Sequence, residues 1–182
     1  ECNVSVGHGT LFTNTTGSAN TGLGRQALYN NTTASNNTAV GYQALAANTT
    51  GTCNTAVGKT ALAANTTGLR NTAVGLNTLD SNTTGNANTA VGSFSADSIT
   101  TGLNNTAVGD TALGANVTGD FNTAVGSESQ LLATASNNSS LGYRALRNNT
   151  SGTCNVAVGF ESLCANTTAV DNTAVGFCAL AK

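Results

Sequence analysis

Asparagines in the context Asn-x-Thr or Asn-x-Ser are the groups in this sequence with the clearest chemistry. This tripeptide is the acceptor for N-linked glycans in secreted proteins. One such asparagine recurs about every 17 residues in a corner of the type Asn-Thr-Thr-Gly, and this row supplies the candidate glycosylation sites Asn14, Asn31, Asn48, Asn65, Asn82, Asn116, Asn149 and Asn166. Further sequons fall at Asn3, Asn30, Asn36, Asn104, Asn137, Asn138 and Asn148. The alternative interpretation is that Asn-Thr-Thr-Gly is simply a good corner sequence.

Cysteine is the second reactive residue type. The chain has five, Cys2, Cys53, Cys154, Cys164 and Cys178. An odd number leaves at least one thiol free or available to another molecule. Candidates for a disulfide or a link between subunits are Cys2, Cys164 and Cys178. The alternative is that cysteine serves as a small buried residue, and the absence of Cys-x-x-Cys argues against zinc.

Enzyme chemistry has little support. His8 is the only histidine, and the eight carboxylates are scattered along the chain. A catalytic triad or a metal cluster needs more partners than this, so we expect no catalytic residue, no metal and no cofactor. The net charge of −2 gives no field for nucleic acid, and no apolar run reaches the ~20 residues that membrane insertion needs.

These residues sit in a repeat that spans the whole chain. Aligning on the Asn of Asn-x-x-x-Gly divides residues 1–182 into coils of 17 residues, with one step of 16, and predicts a single repeat domain. The coils start at Asn3, Asn20, Asn37, Asn54, Asn71, Asn88, Asn105, Asn122, Asn138, Asn155 and Asn172. Counting this Asn as position one, position five is always Gly, position four is Val or Leu, and position nine is Leu in nine coils.

A 17-residue unit is too short for a helical repeat and matches one coil of a β-solenoid. We therefore predict an all-β, parallel β-solenoid of about ten to eleven coils, each with two short strands and two corners. Alternation along the strand places Val at position four inside, with Thr at position two on the same side, opposite Leu at position nine. The repeated Asn and Gly are expected to form a structural ladder, for example Asn37, Gly41, Asn54, Gly58, Asn71 and Gly75.

Two coils depart from the pattern. Residues 127–137 are one residue short and lack the Asn-Thr-Thr-Gly corner, while the coil from Asn88 has Ala96 in place of Leu and Ile99 in place of Asn. These coils could be kinks or lateral contact points, or a tolerated slip in the array.

The sequence has no polar cap at either end, and a second copy would continue the coil register with about four residues missing. Two explanations stay open. The chain could be cut from a longer protein, or copies could stack end to end into a fibre, because exposed strand edges template addition.

The Asn-Thr-Ala-Val-Gly unit resembles the head repeats of trimeric autotransporter adhesins. It is more similar to the repeat arrays of phage and giant-virus fibre-like proteins, whose string Asn-Thr-Ala-Val-Gly-Tyr-Gln-Ala-Leu matches residues 37–45. This resemblance implies a left-handed parallel β-roll, often trimeric, at a cell or virion surface. The short coils are also similar to plant ice-binding β-rolls, in which a flat Thr-rich face orders water.

We therefore expect a structural protein, extracellular or at a virion or cell surface, that self-assembles head to tail into a fibre and could carry a glycan coat. The alternatives are a trimeric adhesin or receptor-binding fibre segment, and an ice-binding β-roll. A trimer should show a continuous apolar seam at outward Ala positions. For ice binding, the Thr rows at positions thirteen and fourteen lie at a corner instead of on an alternating strand.

Overall fold

The computed structural model describes residues 2–182, and within them the chain is all-β with no helix. Every coil contributes one strand of three residues, which directly follows the Asn at position one. The strands are β1 (Val4–Val6), β2 (Thr21–Leu23), β3 (Thr38–Val40), β4 (Thr55–Val57), β5 (Thr72–Val74), β6 (Thr89–Val91), β7 (Thr106–Val108), β8 (Thr123–Val125), β9 (Ser139–Leu141), β10 (Val156–Val158) and β11 (Thr173–Val175).

The strands form one parallel sheet in chain order from β1 to β11. Like positions pair with like, as in Thr38 with Thr55 and Val40 with Val57. Adjacent strands lie about 4.8 Å apart in such a sheet, so the coils build a rod of roughly 50 Å. The predicted parallel β-solenoid is confirmed.

The expected orientation of the strand is wrong. Ala at position three points inward and is fully buried, as at Ala39, Ala56 and Ala73, while Thr at position two and Val at position four point outward. The reason is the width of the coil. Ala at position eight and Leu at position nine fill the space opposite the strand, which leaves room for a methyl group but not for Val.

The second predicted strand is also absent, because the Ala-Leu segment follows a turn path. Its backbone has positive φ at positions seven and nine, for example at Gln43 (φ 54°) and Leu45 (φ 52°). A third residue, at position seventeen, is left-handed as well, such as Cys53 (φ 61°). The segment still bonds to its neighbours, since the Leu45 N–H donates to the Ala61 carbonyl at 3.0 Å.

Glycine at position five is required for two reasons. Gly58 has φ of +142°, a conformation that side chains disfavour, and a Cβ atom there would lie against the carbonyl oxygen of Gly75 in the next coil. The same contact recurs between Gly41 and Gly58 and between Gly75 and Gly92.

The apolar core divides at the 16-residue coil. One cluster runs from Ala27 to Ala124 and the other begins at Ala145. Between them Ser129, Gln130 and Ser140 replace Ala, Leu and Ala, and Gln130 donates from Nε2 to the Thr123 carbonyl at 2.8 Å and to Ser140 Oγ at 2.9 Å. The sheet itself continues in register, with Thr123 paired to Ser139. The short coil is therefore a polar layer in the core and not a break in the sheet.

Replacing Gly58 with Ala should destabilise the rod. We expect a loss of about 2–4 kcal/mol, because the added Cβ strains a disfavoured φ and meets the backbone of the next coil. Urea unfolding followed by circular dichroism measures this loss. The matched control is Gly114→Ala at position ten, where Ala46 and Ala63 occur in other coils and where φ is not positive. Equal losses in the two variants would contradict the steric argument.

Candidate functional site

The Asn residues at position one form a buried ladder through the rod. The Asn54 backbone N–H donates to Asn37 Oδ1 at 2.9 Å, and Asn54 Oδ1 accepts from the Asn71 N–H at 2.9 Å. Its Nδ2 donates to the Gly68 carbonyl at 2.8 Å, across the coil. The side-chain amide of Asn54 thus binds two backbone groups, the Asn71 N–H and the Gly68 carbonyl, that a narrow interior could not otherwise satisfy.

The candidate glycosylation row forms a second ladder. Asn48 Nδ2 donates to Asn31 Oδ1 and to the Gly51 carbonyl, both at 2.9 Å. Six members of the row are fully buried, Asn31, Asn48, Asn65, Asn82, Asn116 and Asn149, whereas Asn14 and Asn166 are half-buried. A glycan on a buried amide would replace one of the two N–H donors of Nδ2, both of which are in use at Asn48, and would separate the coils. The folded rod therefore does not accommodate glycans at these six sites.

The accessible sequons are a different set. Asn30 is exposed at position eleven of the second coil, and Asn36, Asn104 and Asn137 are exposed at position seventeen, on one edge of the rod. The coils of the three position-seventeen residues are four and two steps apart, which places their side chains roughly 19 and 10 Å from one another. This spacing removes the crowding that a glycan on every coil would produce. These sites and the corner asparagines share the tripeptide, and they differ in the exposure of the side chain.

All five cysteines are free in the structure. Cys2, Cys53 and Cys154 are exposed at position seventeen, and Cys164 and Cys178 are half-buried in neighbouring coils. The Cys164 thiol donates to the Ala181 carbonyl at 3.5 Å. Burial raises the pKa of the Cys164 thiol, helped by the negative charge of Glu161, so this group is not activated as a nucleophile. The predicted links through Cys2, Cys164 or Cys178 stay predictions.

Charged side chains gather at two places on the outside. Burial raises the pKa of Asp80 and of Asp97 in the next coil, and the charge of Asp80 raises that of Asp97 further. At the short coil, hydrogen bonds from Arg144 and Arg147 hold the pKa of Glu128 below its usual value, with N–O distances of 3.0 and 2.7 Å.

Neither place offers the three ligating side chains of a metal site. Within residues 2–182 no three His, Cys, Asp or Glu side chains stand close enough to hold a metal ion. The described part of the chain also has no helix long and apolar enough to cross a membrane.

The outward side of the sheet carries two continuous rows without a charged residue, which we call the Thr/Val face. Position two is Thr in eight coils and otherwise Val4, Ser139 or Val156, and position four is always Val or Leu. Neighbouring residues within a row lie about 4.8 Å apart along the rod, and the two rows lie ~6.6 Å apart across it. This alternating arrangement was missed from the sequence because Val was placed inside.

Aromatic rings stack at the two ends of the rod. Tyr143, Phe160 and Phe177, all at position six, have centroids 5.3 and 5.2 Å apart. Phe12 and Tyr29, at position ten, stack at 5.2 Å. The in-register coils explain the stacks, because each ring lies directly over the same position of the next coil.

Comparison with protein-family models, curated proteins and solved structures found no match. The resemblances of the repeat motif therefore stay predictions, and function has to be argued from the surface of the rod.

When the chain is secreted from a host that adds N-glycans, we expect occupancy at Asn36, Asn104 or Asn137 and none at Asn48 or Asn65 in the folded fraction. The physical reason is that the side-chain amides of Asn36, Asn104 and Asn137 belong to neither ladder, so a glycan there breaks no hydrogen bond between coils, whereas a glycan on Asn48 or Asn65 would. Peptide mass spectrometry after enzymatic deglycosylation reads each site. Occupied Asn48 in soluble, protease-resistant rods would contradict the burial argument.

Proposed function

We propose that this chain is a structural protein whose copies add to one another along the rod axis and form a fibre. The observation that supports this proposal most strongly is the equivalence of the interfaces between coils. Thr38, Thr55 and Thr72 each donate their backbone N–H to the position-one carbonyl of the following coil at 2.8–2.9 Å. The backbone groups that one coil presents to the following coil are therefore complementary to those that any other coil presents to the preceding one.

The first and last coils offer the same groups to a second copy. On the last coil the N–H groups of Thr173 and Leu180 face away from the preceding coil, as their equivalents do throughout the rod. On the first coil the matching acceptors are the carbonyls of Asn3 and Thr10. A head-to-tail contact of this kind does not close on itself, and it generates open filaments.

The trimeric alternative receives less support from the surface. Outward Ala residues at positions ten and eleven occur at Ala46, Ala47, Ala63 and Ala64, but Asp80 and Asp97 interrupt the row. The Thr/Val face alone covers roughly 50 by 7 Å, about 350 Å², which is less than half of the ~800 Å² that each partner of a stable interface buries.

Thr173→Pro should block axial growth. Proline removes the N–H that would donate to the next copy, and the affected group makes no bond inside the chain. We expect wild-type protein to form filaments with an axial repeat of roughly 50 Å per chain, and the variant to give short rods. Electron microscopy and sedimentation distinguish the two.

The matched control for this variant is Thr173→Ala, which keeps the N–H and should still form filaments. Circular dichroism verifies that both variants keep the fold. Filaments of normal length from Thr173→Pro, or none from the wild type over a wide concentration range, would overturn the proposal.

The Thr/Val face supports a second candidate function, adsorption to ice. Its hydroxyl and methyl groups repeat on a regular grid, and no charge in the eleven coils disrupts it. The Thr rows at positions thirteen and fourteen lie at a corner, which does not suit ice binding. The Thr row at position two points outward from the strand and alternates with buried Ala, so it offers the flat surface that the corner rows lack.

Ice adsorption predicts faceted crystals and thermal hysteresis in the presence of the chain, and loss of both in Thr72→Lys. A charged side chain in the middle of the face breaks the grid. The control Thr84→Lys places the same charge at an exposed corner and should leave the effect unchanged. Round crystals with the wild type would exclude this function.

A location outside the cell, or at a virion or cell surface, agrees with both candidates and follows from the motif resemblance. Glycans at the exposed position-seventeen asparagines would coat one edge of the rod and leave its two ends free for stacking.

A further inference from the structure

The aromatic column at position six ends on an open ring. Tyr143, Phe160 and Phe177 stack along the axis, and the Arg144 guanidinium lies 4.7 Å from the Tyr143 centroid. Phe177, in the last coil, is 78% exposed. One face of this ring is covered by Phe160, and the other has no neighbour within the chain.

A second copy in the coil register would bring His8 over that open face. His8 is the position-six residue of the first coil, and Arg25 and Tyr42 follow it in the same column, with Arg25 lying 5.9 Å from the Tyr42 centroid. The column would then run from Tyr143 through Phe177 of one copy into His8, Arg25 and Tyr42 of the next.

We propose that this column is the recognition element of the axial joint, with Phe177 of one copy stacked on His8 of the next copy. The inference rests on the proposed function, since it names the residues that select the partner face. The ligand of this site is a second copy of the same chain.

The backbone geometry of the column supports the stack. The Glu161 N–H donates to the Tyr143 carbonyl and the Cys178 N–H to the Phe160 carbonyl, both at 2.9 Å, and these bonds accompany rings 5.2–5.3 Å apart. The Gly9 N–H of the next copy would make the equivalent bond to the Phe177 carbonyl. Gly7 and Gly9 flank His8 and have no side chains that could obstruct the approaching ring.

The column also explains how a joint would select its partner. The backbone groups fix the polarity of the joint, but they are alike in all coils and cannot distinguish one solenoid end from another. Position six varies instead, with Lys59, Leu76 and Asp110 in the middle coils. Aromatic stacking adds a specific contribution to association beyond the area that it buries.

The test compares filament growth of Phe177→Ala with that of Phe121→Ala. Phe121 is 58% exposed but stands at position seventeen, outside the column. We expect the critical concentration of Phe177→Ala to rise about three- to tenfold, the size that the loss of one aromatic pair produces, and that of Phe121→Ala to stay unchanged. Sedimentation of pre-formed filaments at graded dilution measures both.

A second variant removes the other partner. His8→Ala should raise the critical concentration by a similar factor, and the double variant should add little more, because both substitutions remove the same contact. This variant lies at the opposite end of the chain, so a folding defect in one terminal coil cannot produce the shared result.

The outcomes separate this inference from the proposed function. Wild-type filaments with unchanged growth in Phe177→Ala would overturn the stacking role while leaving the fibre intact. Fully additive effects of Phe177→Ala and His8→Ala would also overturn the pairing. No filaments from the wild type would overturn the proposed function itself, and the joint with it.

Discussion

Hydrogen bonding between successive coils is the interaction on which this structure depends. A 17-residue coil encloses little apolar volume, essentially one Leu and two Ala per turn, as at Leu62, Ala56 and Ala61. Burial of this size cannot by itself offset the entropy of ordering the coil. The backbone groups and the Asn amides of neighbouring coils supply what the side chains cannot. The ladder of Asn54 illustrates this, because its amide binds the Gly68 carbonyl in its own coil and the Asn71 N–H in the next one.

The same dependence explains the unusual backbone. Each full coil after the first holds non-glycine residues at positive φ at positions seven, nine and seventeen, and some of them, such as Thr60 and Leu62, are residue types that rarely adopt this conformation. Each costs of order 1–2 kcal/mol, and an isolated coil would relax. The neighbour on either side fixes the conformation, as the Thr60 N–H bonded to the Tyr42 carbonyl at 2.8 Å shows. Stability is therefore a property of the stack, and a rod held together in this way is already suited to axial addition.

A uniform interior leaves the outside to carry specificity. The ladder at position one and the Gly contacts at position five are nearly identical from coil to coil, and the corner ladder is interrupted only at Ile99 and Ala133, whereas positions six, ten and seventeen differ in charge, size and aromatic character. The interior varies in the coil from Asn88, where Ala96 and Ile99 are buried in place of Leu and Asn, and in the short coil, where Gln130 introduces a polar layer and its Oε1 atom is buried without a partner. Salt bridges join Arg144 and Arg147 to Glu128, which is next to Ser129 in the sequence. The rod thus separates a structural interior from a surface on which end contacts, glycans or an ordered water layer can be arranged.

The sequence by itself determined the period, the parallel solenoid, the inward Leu at position nine and the need for Gly at position five. Identical residues at a fixed spacing can only stack, and the corner residues Asn and Gly have known backbone preferences. Only the tertiary structure decided the direction of the strand and the path of the second segment. The alternation is the same whether Thr and Val point outward or inward, because Ala takes the opposite side in either case. Nothing in the pattern of Thr38, Ala39 and Val40 shows how wide the coil is. The left-handed Leu45 and the burial of Asn48 also depend on contacts with other coils. Local preference is overridden there because a thin coil must satisfy every backbone group through its neighbours.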